Sequence, residues 1–157
     1  MARFAGAVAG AAERVGRPAV LGSPDDEPWH FVAHLADEAR RSGAASVAPV
    51  WVRWQAPSGA PPHLATTVAD LPGLARSAPL LVMAADSDPR LLERVHDARR
   101  AGALVLAVDG AGGDLAALAH EQLVVPTAGR HPRTAGSNPL DAPGHLLSVL
   151  LPRAAQG

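Results

Sequence analysis

The chain has 157 residues, 48% apolar and 18% charged, with a formal net charge of −1. That balance suits a globular protein with a core of its own and leaves no electrostatic footprint for nucleic acid. Cysteine, lysine and tyrosine are all absent, which excludes disulfides, thiolate metal sites, Schiff-base and lysine-bound PLP chemistry, and a P-loop NTPase.

The chemical kit that remains is ten Asp, five Glu, seven His and a few Ser and Thr. No apolar run is long enough to span a bilayer. Phe4, Val8, Ala11, Ala12 and Val15 recur at helical spacing, so the N-terminal stretch is expected to be a folded cytoplasmic helix rather than a processed signal segment. Residues 19–22 form the expected first strand, and Gly22-Ser23-Pro24 opens a loop that continues Asp25-Asp26-Glu27-Pro28. A helix over 29–41 follows, with Val32, Leu35, Ala36 and Ala39 on one face and Gly43 as its stop. Residues 46–54 predict a second strand, placed at a sheet edge by Pro49. A Pro/Gly-rich loop over 55–67 and a short helix over 69–77 lead into the middle of the chain.

From residue 78 the pattern is strand, loop, helix, strand, loop, helix, strand. The runs 80–85 and 103–108 are apolar without alternation, as in strands covered on both faces. Between them, Asp88-Pro89 supplies an N-cap and a first-turn proline, Leu91, Leu92, Val95 and Ala98 share a helix face, and Gly102 ends it. Asp114 is expected to cap a further helix after the loop Asp109-Gly110-Ala111-Gly112-Gly113, and Leu123-Val124-Val125 is the last strand. Residues 126–144 read as irregular and 145–151 as a short C-terminal helix. The reading is one α/β domain over 1–157: a three-layer α/β/α sandwich with a five-stranded parallel sheet in the order 2-1-3-4-5.

Three stretches of this succession carry a family resemblance. They are Ala98-Arg99-Arg100-Ala101-Gly102-Ala103, Asp114-Leu115-Ala116-Ala117-Leu118-Ala119-His120, and Leu123-Val124-Val125-Pro126. Their order and spacing resemble the second half of an SIS (sugar isomerase) phosphosugar-binding domain, over about a third of the chain. In that family a Ser-x-Ser-Gly-x-Thr phosphate loop follows the central strand; here Ala84-Ala85-Asp86-Ser87-Asp88-Pro89 stands in its place. The resemblance implies a flavodoxin-like strand order, a sugar-phosphate-like ligand and a homodimer whose sites are completed across the subunit interface. With the family's loop residues lost, the expectation is a non-catalytic carbohydrate-derivative-binding or regulatory module. The alternatives are a phosphosugar isomerase using Ser23, Ser87 and a carboxylate, and a structural partner that keeps the fold as an association surface.

The candidate ligand residues are Gly22, Ser23, Asp86, Ser87, Asp88 and Asp109, all at expected strand C-termini, the ligand edge of an open α/β sheet. Each has a plainer reading: Asp88 caps its helix, Asp86 faces water, and Asp109 ends a strand. Asp25, Asp26 and Glu27 should lie near Asp86 and Asp88, so a phosphate there would meet like charge, which outweighs a helix-dipole attraction of about 0.3–1 kcal/mol. Glu27, His30 and His34 fall on one helix face at metal-ligand spacing, but on its polar side, and neither metal nor cofactor is expected. Glu93 and His96 have the chemistry for isomerisation, yet lie on a helix surface far from any loop tip. One of Trp51 and Trp54 should face outward from the edge strand as a subunit contact. Positive charge at the strand ends could come from Arg130 and Arg133, in the irregular segment, or from a partner chain; the sequence leaves both open.

Overall fold

The computed structural model describes residues 1–86, 88–110, 113–125 and 140–156. Ser87, the central part of the Asp109–Gly113 loop, and Arg130 and Arg133 with most of the expected irregular segment lie outside the described residues.

Five strands form one all-parallel sheet: β1 (Ala19–Gly22), β2 (Val50–Trp51), β3 (Leu80–Ala84), β4 (Val105–Asp109) and β5 (Glu121–Val124), in the order β2-β1-β3-β4-β5. The two unalternated apolar runs are the adjacent strands β3 and β4, paired Leu81 to Leu106 and Ala84 to Asp109. Their lack of alternation has the expected cause, because both faces are covered.

On one face, Val20, Leu81, Met83, Leu106 and Val108 pack against α1 (Ala2–Val15), α2 (Trp29–Ser42) and α6 (Asp141–Ala154), through Phe4, Val8, Phe31, Leu35, Leu147 and Leu151. On the other, Leu21, Leu80, Val82, Val105 and Ala107 meet α3 (Leu71–Leu74), α4 (Pro89–Arg100) and α5 (Asp114–Leu118), through Leu71, Leu91, Val95 and Leu115. Each buried Leu, Val or Phe contributes roughly 1.5–3 kcal/mol by leaving water, so the two apolar layers fix the sheet between the helices. The chain is a three-layer α/β/α sandwich.

Several local expectations are corrected. The strand over 46–54 shrinks to Val50–Trp51, because Ala45–Val47 makes a 3₁₀ turn and the Arg17 guanidinium takes the carbonyls of Ala48 and Pro49 at 2.9 and 3.0 Å. It still lies at the edge. On α2 the buried set is Phe31, Leu35 and Ala39, while Val32 is half-buried and Ala36 exposed. Residues 69–77 split into a 3₁₀ turn, Val68–Asp70, and the single turn α3. Asp114 is not a cap: Gly113 holds that position and Asp114 is the exposed first helical residue. The C-terminal helix starts at Asp141, so residues 141–144 are helical rather than irregular. Pro143 is tolerated there because first-turn N–H groups have no intrahelical acceptor.

The apolar residues of the N-terminal and C-terminal helices are largely covered within the chain. Phe4, Val8 and Leu147 are buried, Val15, Val149 and Leu150 half-buried, and Leu146 alone of that set is exposed. Among the described residues no helix is long and apolar enough to cross a membrane.

Candidate functional site

The strand order reverses direction between β1 and β3, since β1 leads to β2 on one side while β3 leads to β4 on the other. Open α/β sheets bind ligands in the crevice beyond such a point. Three corners meet at this edge: those following β1, β3 and β4.

The corner after β1 closes on itself. Asp26 N–H donates to the Ser23 carbonyl at 3.2 Å, and Ser23 and Asp26 form a one-residue antiparallel bridge. A side chain at Gly22 would meet Pro28 Cδ at 2.5 Å and the Asp26 carbonyl oxygen at 2.6 Å, so this glycine is required by the loop folding back over the strand end. Trp54 seals the corner from the β2 side. Its indole N–H donates to the Gly22 carbonyl at 2.9 Å, and its backbone N–H donates to the Glu27 carboxylate at 2.8 Å. Arg53 lies 3.7 Å from the same carboxylate and stacks 4.4 Å over the Trp51 ring. Neither edge tryptophan faces fully outward, since both are half-buried; the exposed tryptophan is Trp29, 55% accessible at the start of α2.

The corner after β3 is built around Asp88. Its carboxylate accepts the backbone N–H groups of Arg90 at 2.8 Å and Leu91 at 3.3 Å, the two free donors a cap residue satisfies. The Arg90 guanidinium turns back to the same carboxylate at 3.0 Å and reaches Asp25 of the β1 corner at 3.3 Å. The hydrogen bond from the Arg90 side chain, helped by the two backbone donors, holds the Asp88 carboxyl below the usual aspartate value, and Asp88 in turn raises Arg90. Asp86 is exposed, and its carbonyl accepts the Asp88 N–H at 3.2 Å.

The corner after β4 is held by a buried carboxylate. Asp109 is 1% accessible and accepts Gly113 N–H at 3.2 Å and the Gln122 side-chain amide at 3.3 Å. It thereby ties its loop to β5, while Gly110 N–H donates to the Ala84 carbonyl at the end of β3 at 3.1 Å.

The expected residues Gly22, Ser23, Asp86, Asp88 and Asp109 thus all stand at the C-terminal edge, on three neighbouring corners. Asp25 and Arg90 join the first two corners directly. Glu93 and His96 are exposed on α4 (His96 3.9 Å from Asp97). Glu27 is turned away from His30 and His34 towards Trp54 and Arg53. Sequence reasoning missed four participants: Arg90, Trp54, Arg53 and Gln122. None had a direct local signal: Arg90 is two residues from Asp88, a spacing that does not pair along a helix, and the others arrive through strand pairing.

The like charge expected at this edge is largely internally compensated, with Arg90 set between Asp25 and Asp88 and Arg53 beside Glu27. Chemically, the donors that could greet an anion at the N-terminus of α4 are taken up by the chain's own carboxylate. No protein-family model matches this chain, and no curated protein matches it.

Proposed function

We propose that this is an SIS-like domain acting as a non-catalytic carbohydrate-derivative-binding or regulatory module, in which Asp88 has taken over the position of the ligand's phosphate. One observation carries this reading: the Asp88 carboxylate accepts the Arg90 and Leu91 backbone N–H groups and the Arg90 side chain together. A helix N-terminus at a strand C-terminal edge is an anion cradle, and here a carboxylate in the chain itself fills it. A sugar phosphate would have to displace a covalently tethered anion and approach Asp86 and Asp25 as it did so.

The isomerase alternative is less well supported. Aldose–ketose isomerisation needs a base and an acid within hydrogen-bond reach of adjacent sugar carbons. Glu93 and His96 are exposed on α4, outside the three corners. The resemblance also supports a cytoplasmic homodimer, for which Leu146 and Trp29 leave exposed apolar area.

Calorimetric titration with a panel of hexose and hexosamine 6-phosphates tests the reading. The wild-type chain is expected to give no binding heat at neutral pH. The double variant Asp86→Ser, Asp88→Thr removes both carboxylates, keeps a hydroxyl to cap one backbone donor, and leaves the other donor and the Asp88-facing side of Arg90 open to an anion. It is expected to gain about 1–3 kcal/mol in affinity, roughly ten- to a hundredfold. Micromolar binding by wild type would overturn the module and restore the phosphosugar enzyme. Silence from both proteins would favour the structural partner.

A further inference from the structure

A second cluster of functional side chains lies on the seam between α2 and α6, apart from the three corners. His30 and His34 are four residues apart on α2, so they share one exposed face, and their ring centres are 6.0 Å apart. The third member comes from α6: the His145 ring stands edge-on to His34 with centres 5.0 Å apart. The neighbouring Gly144 favours this contact. A Cβ there would meet Met83 Cε at 3.3 Å and Phe31 Cδ2 at 3.6 Å, so the first turn of α6 packs close on α2 and β3 with little room for a side chain. Helix spacing suggested Glu27 as the third partner of His30 and His34; the packing supplies His145 instead.

We propose that His34 and His145, with His30 as third imidazole, bind a borderline divalent cation of the zinc, nickel and copper class and so clamp α6 to α2. Imidazole suits these ions. At Zn–N distances of about 2.0–2.1 Å, two imidazoles on one tetrahedral ion hold their ring centres roughly 5 Å apart. The His34–His145 pair already has that separation. Among the described residues no three such side chains yet stand around one point, so His30 must turn in. It is exposed and free to do so, at the cost of its stack on Trp29, where the ring centres are 3.8 Å apart. Ion binding should therefore be visible both as added stability and as a change in the surroundings of Trp29. The site is independent of the anion corner, so either proposal can fail alone.

The test is titration of the full, untagged chain with ZnCl2 and, separately, NiCl2, followed by calorimetry and by the imidazole proton resonances. One ion per chain is expected to bind with micromolar affinity and to shift the His30, His34 and His145 resonances while His63, His96 and His120 stay still. At a hundredfold excess over Kd the unfolding midpoint should rise by roughly 5–10 °C. The variants His34→Gln and His145→Gln should each lose at least tenfold in affinity, with His30→Gln losing less. Tryptophan emission should change on binding in the wild type and stay constant in Trp29→Phe. The absence of binding up to millimolar ion, or unchanged affinity in His145→Gln, would overturn the cross-helix clamp.

Discussion

The corners after β3 and β4 begin from neighbouring, paired residues, Ala84 and Asp109, and both are built on an aspartate, yet the two carboxylates act in opposite ways. Asp88 lies beyond its strand, at the cap of the twelve-residue α4, and spends its oxygens on the first turn of that helix and on Arg90. Asp109 is the last residue of its strand, buried, and spends its oxygens on the returning loop and on Gln122 of the next strand. One carboxylate organises a helix start in contact with water; the other organises a loop from inside the sheet. In both, an anion belonging to the chain already occupies backbone donors that a ligand anion would need.

The largest effect should come from Asp109. Asp109→Ala removes a buried carboxylate to which the Gly113 N–H and the half-buried Gln122 amide donate, and is expected to cost about 1.5–3 kcal/mol in urea-induced unfolding, the scale for hydrogen bonds to a charged group. Asp109→Asn keeps an acceptor and should cost clearly less. If alanine and asparagine cost the same, the carboxylate's role in holding the loop is wrong. Asp88→Ala comes next, at about 1 kcal/mol, the usual loss for an N-cap, while Asp88→Ser should be nearly neutral because a hydroxyl can still accept from the first turn.

The smallest effect is in pH dependence and distinguishes the two roles further. The folded Asp88 carboxyl titrates below its ordinary value of 3.8. Its contribution is therefore complete above that value and is lost as pH falls through the lower, folded one. The stability difference between wild type and Asp88→Asn should thus shrink on acidification below pH 3.8. A difference that stays constant or widens there would deny the Arg90-stabilised carboxylate.

Much of the sheet was legible because its signals are local. Leu80–Ala84 and, in the next strand, residues 105–108 are apolar on every residue, and that pattern has few outcomes other than a strand covered on two faces. Asp88-Pro89 announced a helix start by the chemistry of its own backbone. The misreadings fall where a distant residue decides. Arg17, about thirty positions away in sequence, takes the carbonyls that a longer β2 would have used. The Asp141-Ala142-Pro143-Gly144 stretch has turn composition but forms helix, with Gly144 suited to a tight contact on Phe31 and Met83. At the site, Asp88 as a cap could be read directly. Arg90 could not, because residues two apart do not face each other along a helix. Asp88 stands just outside the helix, so its carboxylate folds back over the first turn and meets the Arg90 side chain. The link from Arg90 to Asp25 spans 65 positions and exists only because β1 and β3 are neighbours.

The central claim is that Asp88 occupies the anion position at the start of α4. Its most direct test follows the backbone amide resonances of Arg90 and Leu91 while glucose 6-phosphate is added to wild type and to Asp88→Ser. Unmoved wild-type amides, with saturable shifts at both positions in Asp88→Ser, are the predicted result. Saturable shifts of the Arg90 and Leu91 amides in the wild type would contradict it.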